Sequence, residues 1–403
     1  MPGAAVTSCV GNRGGGPEQR PRRMIEIEIC GSHLASDDHT GISGAPPATG
    51  TAVPPAPLLR HLVVEPGVAG AEPSAAPTPA GPALAAAVAA SLDGRTAHVI
   101  EVRAAAASGP PVVLLHGLGG LAEEILAPLM PLAARHRLLA LDRPGYGSSA
   151  PQPADELAPD RQADWVAAVL ERLGVGPAIV VAHSFGASVA LWLVRSHPER
   201  VAGLVLLAPF CRPTQPASKP LLRLATMPAI GRPVRWAIPQ VAPWLAGRVL
   251  ASSFAPDPVP PHMLRLPFAV AVQPPAVLAM AAELRGFNPA MERFAAAARP
   301  IDCRTVVIWG GRDRVTPWPH HGAWLMPQLG WGSAVELPAV GHMIQHLRPD
   351  VVAGAVAEVA ASCGRLGRLM HRVRRAAGRV VRSTSRHIRS QARTGSTCQM
   401  RSQ

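Results

Sequence analysis

Short runs of apolar residues recur between residues 95 and 210, and they are typical of strands that are buried on both faces of a sheet. The predicted strands are Thr96–Val102, Pro111–Leu115, Leu138–Leu141, Ala178–Val181 and Gly203–Leu207. Between the strands, residues 160–173 have helical periodicity, and a second helix is predicted from Phe185 to Ser196 because Pro198 follows. Short strands that alternate with helices predict βαβ units and a parallel sheet.

The alternation breaks between residues 211 and 298. This segment has many prolines, no clear strand pattern and several amphipathic stretches that contain Trp, Phe and Met. Strands resume at Cys303–Trp309 and Ala334–Leu337, and a last helix is predicted at Pro349–Ala361. We therefore expect residues 211–298 to form a helical cap inserted between two strands of one sheet.

Two segments of different composition flank this pattern. Residues 1–80 are rich in Pro, Ala and Gly and are predicted to be a largely disordered leader, with one weak strand pattern at residues 25–29. The folded domain is predicted to span residues 81–361. Residues 362–403 are predicted to form an Arg-rich C-terminal tail.

The formal net charge of +13 lies mostly in that tail. Eleven arginines and no acidic residue follow Glu358, which leaves 28 basic and 26 acidic residues, a net +2, in the rest of the chain. The tail arginines recur every three or four residues and would form one stripe on a helix. A solvated tail, weak contact with an anionic membrane surface and nonspecific binding of nucleic acid all fit this pattern. No specific nucleic-acid site is predicted.

Several features favour a cytoplasmic protein, with peripheral membrane contact as the alternative. No secretory signal is recognised after Met1, and the apolar run from Ala83 to Leu92 is too short to span a bilayer. The six cysteines are scattered and form no Cys-x-x-Cys pair, which is typical of a reducing compartment and gives no metal-binding spacing. The pattern does not predict an oligomeric state.

The strongest chemical motif is Ala182-His183-Ser184-Phe185-Gly186, between a predicted strand and a predicted helix. A serine on such a sharp turn projects its hydroxyl above the sheet, and the turn needs small residues two positions before and after it. Ala182 departs mildly from the usual Gly-x-Ser-x-Gly pattern. We expect Ser184 to be a nucleophile.

A glycine-rich turn, His116-Gly117-Leu118-Gly119-Gly120, follows the predicted strand that ends at Leu115. Acyl transfer needs backbone N–H donors for the oxyanion that develops on the substrate. The predicted donors are the N–H groups of Leu118 and Phe185.

Together with the segment Asp142-Arg143-Pro144-Gly145-Tyr146-Gly147-Ser148-Ser149, these motifs resemble the α/β-hydrolase superfamily. The resemblance covers about residues 95–361 and is greatest for capped members such as esterases, carbon–carbon bond hydrolases and haloperoxidase-like enzymes. It implies an α/β-hydrolase fold, with a mostly parallel central sheet, helices on both faces and a helical cap. It also implies a structural role for Asp142 and chemistry without a metal or organic cofactor.

The order of such a site, serine then acid then histidine, selects Asp313 and His342. Asp313 follows the predicted strand that ends at Trp309, and His342 follows the strand that ends at Leu337. Residues at the carboxyl ends of parallel strands face ligands, whereas Asp302 precedes its strand and is excluded. Ser184 is assigned as nucleophile, His342 as general base and then acid, and Asp313 as the carboxylate that orients the imidazole.

These assignments predict a serine hydrolase that cleaves an ester-like or related carbonyl bond. The apolar composition of the cap favours a small hydrophobic substrate, and it fits equally well side chains that only attach the cap to the core. The candidate substrate-binding residues are Gly117, His183, Trp236 and Met343. Two alternatives stay open. Carbon–carbon bond cleavage or perhydrolase chemistry would use the same site, and a catalytically silent α/β-hydrolase scaffold would act as a binding or accessory protein.

Overall fold

The computed structural model describes residues 59–61, 84–92, 94–214, 220–265, 268–297 and 299–363. The predicted tail from residue 364 and most of the predicted leader, including residues 25–29, lie outside these residues. Residues 59–61 form a short strand within the segment predicted to be largely disordered.

The described residues contain a nine-stranded sheet in the order β1-β2-β3-β5-β4-β6-β7-β8-β9. The strands are β1 Leu59–His61, β2 Leu84–Leu92, β3 Arg95–Arg103, β4 Val112–Leu115, β5 Leu138–Leu141, β6 Ala178–His183, β7 Val201–Leu207, β8 Thr305–Gly310 and β9 Gly332–Leu337. The pairs that β3 makes with β2 and β5 are antiparallel, and all other pairs are parallel. The carboxyl ends of β4 to β9 therefore meet at one edge.

Helices cover both faces of the sheet, as predicted. The described helices are α1 Ala122–Leu126, α2 Pro159–Arg172, α3 Phe185–Ser196, α4 Pro220–Thr226, α5 Gly231–Phe254, α6 Phe268–Ala271, α7 Pro274–Ala296, α8 Gly322–Leu325, α9 Ile344–Leu347 and α10 at residues 349–363. Within these described segments, no helix is both long and apolar enough to cross a bilayer.

Strands β4, β5 and β6 are buried along their whole length because their side chains alternate between two cores. In β6, Val180 and Ala182 enter one core with α2 and α3, whereas Ile179 and Val181 enter the other core with α1 and α10. A two-residue period therefore places each continuous apolar run against helices on both sides.

Every strand predicted from Thr96 onward is present, with ends that differ by up to two residues. The sequence pattern missed β2, which pairs along its whole length with β3. Five of its nine residues are alanine, which has low strand propensity, so the apolar run had no strand signature.

The segment between β7 and β8 contains α4 to α7, so helices lie in the part of the chain predicted to be an insertion. A Cβ on Gly341, beside His342, would lie 2.1 Å from the Ala255 carbonyl oxygen at the end of α5. The insertion therefore packs closely on the loop after β9.

Candidate active site

Ser184 occupies a strained turn between β6 and α3. Its backbone has φ 51° and ψ −117°, a conformation that L-residues rarely adopt and that concentrates at functional sites. The turn also brings backbones into close approach, because a Cβ on Gly186 would lie 2.6 Å from the Leu115 carbonyl oxygen. Ala182 is fully buried in the β6 ladder, so the sheet accommodates its methyl group. The geometry is a sharp strand-to-helix turn of the kind that the pentapeptide predicts.

Asp313 and His342 form a buried hydrogen-bonded pair on the loops after β8 and β9. His342 Nδ1 lies 2.9 Å from Asp313 Oδ2, and both residues are less than 10% exposed. An ionised carboxylate only accepts hydrogen bonds, so Nδ1 carries the proton in the neutral ring. Nε2 is then the nitrogen with a free lone pair that can accept a proton.

The surroundings of Asp313 keep it ionised. Burial alone raises the pKa of this carboxyl group, but hydrogen bonds from His342 and Thr316 outweigh burial and hold the pKa well below its usual range. Thr316 Oγ1 lies 2.6 Å from Asp313 Oδ2, and the amides of Val315 and Thr316 donate to Oδ1 at 2.7 and 3.0 Å. The carboxylate is thus fixed on the side of His342 Nδ1.

Backbone contacts bring the Ser184 turn and the Asp313–His342 pair to the same edge of the sheet. The amide of Ser184 donates to Leu207 O at 2.9 Å, and Thr316 Oγ1 lies 3.1 Å from Ala208 O in the next turn. From the other side, His183 Nε2 lies 3.1 Å from His342 O. The predicted serine, acid and histidine therefore gather at the carboxyl ends of β6 to β9.

His183 lies beside this group, and its imidazole ring is neutral. Burial, followed by the nearby His342, lowers the pKa of His183 to about 3. Since the His342 carbonyl accepts, His183 Nε2 must donate. His183 therefore holds the backbone that carries His342, a role that differs from the substrate contact predicted for it.

The glycine-rich turn after β4 is oriented by a buried arginine. Arg143 Nη2 donates to Gly117 O at 2.8 Å, and Arg143 Nε donates to His116 O at 3.0 Å. In a trans peptide the carbonyl and the next N–H point in opposite directions. The Leu118 N–H is thus directed away from Arg143, and in the described residues neither it nor the Phe185 N–H has a hydrogen-bond acceptor.

His116 completes the support of this turn. Its Nε2 accepts from the Arg143 amide at 3.0 Å, so the neutral ring carries its proton on Nδ1, which donates to Gly117 O at 2.8 Å. Burial and then the positive charge of Arg143 lower the pKa of His116 to about 4. The ring therefore stays neutral at physiological pH.

Arg143 also connects the turn to the helical insertion. Its guanidinium is fully buried in an ion pair with Glu283 of α7, and it donates to Gln162 Oε1 at 3.0 Å. Tyr146 donates its hydroxyl to the other oxygen of Glu283 at 2.6 Å. One buried charge pair with neutral partners thus joins the glycine-rich turn after β4, the core and the insertion.

A second buried carboxylate lies behind the same turn. Glu124 of α1 accepts from Gln345 Nε2 at 2.9 Å and from His346 Nε2 at 2.7 Å. Burial raises the pKa of Glu124, but the His346 contact dominates the balance and the pKa falls to about 2. His346 is itself 3.0 Å from His262 of the insertion. This cluster anchors α9, which directly follows His342.

Asp142 has the structural role that the family resemblance implies. It accepts from the amides of Ala122 at 2.9 Å and Ser148 at 3.0 Å, and it lies 2.7 Å from His98 Nδ1. These contacts occupy both carboxylate oxygens with backbone and side-chain partners.

Met343 and Trp236, two of the predicted substrate-binding residues, have different surroundings from Gly117 and His183. Met343 is buried with Leu250 and Phe254, so it joins the loop after β9 to the insertion. Trp236 lies on α5 and is 71% exposed, and in the described residues no aromatic contact links it to the site. The structure therefore gives no support for substrate contact by Trp236.

Sequence reasoning missed Thr316 and Glu283. Thr316 lies three residues after Asp313, a spacing that favours a local side-chain contact and could have indicated it. Glu283 has no such signal, because its partner is 140 residues away in sequence.

The described residues contain no group of three or more His, Cys, Asp or Glu side chains placed to hold a metal ion.

The fold and the position of this site define a class of α/β protein whose polar groups gather at the carboxyl edge of a mostly parallel sheet. A family model described as alpha/beta hydrolase fold matches residues 110–349. The chain belongs to the α/β-hydrolase fold family.

Curated relatives and a solved structure agree with this assignment. The chain is 30% identical over 254 residues to the dihydrolipoyllysine-residue acetyltransferase component of the acetoin cleaving system of Pseudomonas putida, covering 59% of this chain and 60% of the relative. It is 28% identical over 133 residues to (E)-2-((N-methylformamido)methylene)succinate hydrolase of Acinetobacter baylyi, covering 33% of this chain and 49% of the relative. The structure of epoxide hydrolase CorEH superposes with a TM-score of 0.57 at 18% identity, covering 69% and 99% of the two chains. The chain thus spans about half to three fifths of these two curated relatives.

Proposed function

We propose that the protein is a serine hydrolase that cleaves an ester-like carbonyl bond of a small hydrophobic substrate. The observation that carries this proposal is the strained Ser184 turn beside the buried Asp313–His342 pair. The family assignment and its hydrolase relatives support the reaction class. The ester-like bond, the covalent intermediate and the residue roles are part of the proposal.

In the first half-reaction, Ser184 Oγ attacks the substrate carbonyl carbon while its proton moves to His342 Nε2. The negative charge that forms on the carbonyl oxygen is held by the N–H groups of Leu118 and Phe185. Asp313 stabilises the imidazolium ion through Nδ1. The intermediate then collapses, the alcohol leaves with the proton from His342, and an acyl group remains on Ser184.

In the second half-reaction, His342 takes a proton from water, and the hydroxide that forms attacks the acyl carbon. Collapse of this intermediate releases the acid and returns the proton to Ser184 Oγ. An ester on Ser184 is labile to water, whereas the ether that serine would form with an epoxide is not. Serine at this position therefore favours a carbonyl substrate over an epoxide.

The helical insertion is proposed to act as the cap that shapes the substrate site. Met280 of α7 supports this, because its sulfur lies 3.5 Å from the place that a Cβ on Gly119 would occupy. An apolar side chain is thus held against the oxyanion turn, where it favours a hydrophobic acyl group.

Labelling with a fluorophosphonate probe tests the proposal. We expect wild-type protein to be labelled and to hydrolyse p-nitrophenyl esters, and we expect Ser184→Ala to lose both properties. The matched control is Ser188→Ala, which removes another hydroxyl group of the same turn and helix. A folded wild-type protein that the probe does not label would contradict the proposal and favour a catalytically silent scaffold.

A further inference from the structure

Exposed apolar side chains concentrate on the helical insertion. Fourteen large apolar side chains are exposed in the described residues, and 12 of them lie between Leu221 and Leu278. The other two are Val315 and Trp331. Soluble proteins rarely gather exposed apolar groups in this way unless the surface binds a partner or a membrane.

The outer face of α5 carries an ordered ladder of residues. Arg232, Trp236, Gln240, Trp244 and Arg248 follow one another at intervals of four, and all five are exposed. Residues four apart are neighbours on a helix, and each step of four turns about 40° further around the axis, so this row winds along the exposed surface of α5. Trp236 and Trp244 are 71% and 88% exposed, so two indoles stand in this row.

Aliphatic side chains extend the same face. Val241, Leu245 and Val249 are exposed, each one residue after a member of the ladder. On α4, Leu221 and Leu224 are exposed as well. The outer face of α4 and α5 is therefore a mixed surface of aliphatic and indole groups.

The charge of this region has one sign. Residues 201–256 contain no acidic residue and six basic residues, which are Arg212, Lys219, Arg223, Arg232, Arg235 and Arg248. Arg223, Arg232 and Arg248 are exposed among the apolar side chains. The surface thus complements a partner that has negative charge at its surface and an apolar layer below that surface.

We propose that the outer face of α4 and α5 docks on the surface of an anionic phospholipid bilayer. Indole rings are enriched at the boundary between headgroups and acyl chains, because one edge is polar and the ring is apolar. Arginine stems lie along apolar surface while their guanidinium groups reach phosphate. Each basic side chain close to an anionic surface adds attraction that salt screens.

A second copy of the chain fits this surface less well. A two-fold interface places the same patch against itself. Arg232 and Arg248 would then approach other arginines, and no carboxylate in residues 201–256 could pair with them. Single-stranded nucleic acid would use the indoles for stacking, but Val241, Leu245 and Val249 offer bases no ring to stack on.

Docking in this orientation would turn the candidate active site toward the lipid. The inner side of α5 packs through Ile238 against Val277 and Met280 of α7. Met280 in turn lies against the turn at Gly119. The bilayer would therefore lie on the insertion side of the molecule.

Co-sedimentation of the full chain with vesicles tests this proposal and needs no turnover. The vesicles are phosphatidylcholine alone or equal parts of phosphatidylcholine and phosphatidylglycerol, at low and high salt. We expect binding to the anionic vesicles, weakening with salt, and a loss of about tenfold or more in the partition coefficient of Trp236→Ser/Trp244→Ser. The matched control is Trp331→Ser, an exposed tryptophan outside the insertion, which should bind as wild type does. Thermal unfolding verifies that each variant is folded.

A second full-length variant separates this face from the Arg-rich tail. Replacing Arg372, Arg375, Arg379 and Arg382 by glutamine should leave most of the vesicle binding in place. Three results would each overturn the proposal: wild-type protein that fails to bind anionic vesicles, a tryptophan variant that binds them as wild type does, and binding that is lost only in the tail variant. So would a wild-type dimer, seen by analytical ultracentrifugation, that the tryptophan variant converts to monomer. If a competing oligonucleotide displaces the protein from vesicles at constant ionic strength, the surface would instead be assigned to nucleic-acid binding.

Discussion

At the scale of single residues, the site depends on a dense set of hydrogen bonds around Asp313 and His342. Thr316 is the least expected of these residues, because its hydroxyl and its amide both contact Asp313. Its hydroxyl also lies 3.3 Å from His342 Nδ1. One side chain therefore fixes both the position of the carboxylate and the side from which the histidine approaches it.

Replacing Thr316 tests this positioning role. Thr316→Val keeps the shape of the side chain but removes the hydroxyl that donates to Asp313. We expect kcat for a p-nitrophenyl ester to fall about tenfold or more, since hydrogen bonds to charged groups contribute about 1.5–3 kcal/mol. KM should change little, because the contact lies on the far side of His342 from the nucleophile.

Thr316→Ser is the matched control, since it retains the hydroxyl and should keep most of the turnover. Equal turnover in Thr316→Val and wild type would show that the amides alone orient Asp313.

At the scale of elements, α7 determines how the insertion meets the core. Glu283 reaches from this helix to the Arg143 guanidinium, which orients the glycine-rich turn after β4, and both side chains are buried. Removing one partner of a buried ion pair leaves the other charged and without compensation. The contact therefore affects both stability and the geometry of the turn.

Glu283→Gln tests that coupling. We expect the free energy of unfolding to fall by about 3–5 kcal/mol, measured by chemical denaturation, because Arg143 keeps its charge in a buried site. Glu292→Gln is the matched control, since Glu292 lies on the same helix and is exposed. An unfolding free energy for Glu283→Gln that matches this control would mean that water or a rearranged partner satisfies Arg143.

At the scale of the whole molecule, buried neutral histidines make stability depend on pH. Burial is the main cause that lowers the pKa of His116 to about 4, of His183 to about 3 and of His321 to about 4. In the unfolded chain these rings bind protons below about pH 6.5. The unfolded state then binds more protons than the folded state, so stability falls as the pH drops below about 6.5. His98 opposes this trend, because Asp142 outweighs burial and raises its pKa.

We expect the free energy of unfolding to decrease between about pH 7.5 and pH 5, by about 2 kcal/mol for each fully buried neutral histidine. His183→Gln keeps a donor for the His342 carbonyl and removes the titrating ring, so the pH slope should decrease by about one proton. His197→Asn, a change at a half-buried histidine on a different face, serves as control. A slope that is unchanged in His183→Gln would show that this ring does not remain neutral in the folded state.

Much of this molecule follows from local sequence signals, and the rest does not. The placement of Ser184, Asp313 and His342 at one edge of the sheet was predictable because each comes within five residues of the end of a strand whose apolar run is visible in the sequence. β2 was hidden because alanine favours helices over strands and lacks the bulk that marks a buried strand. Glu283 was hidden because a buried ion pair between distant segments has no periodicity, and one carboxylate on an amphipathic helix is usually a solvated residue.

The buried pair of Arg143 and Glu283 also limits how far the insertion can be exchanged between related proteins. A chimaera that receives a foreign insertion without a carboxylate at the place of Glu283 would leave Arg143 uncompensated beside the glycine-rich turn after β4. Grafts of this kind should therefore be designed as matched sets, in which the donor helix and the residues at 143, 146 and 162 are transferred together. In this molecule, the residues that must be exchanged together therefore include part of the core as well as the helices of the insertion.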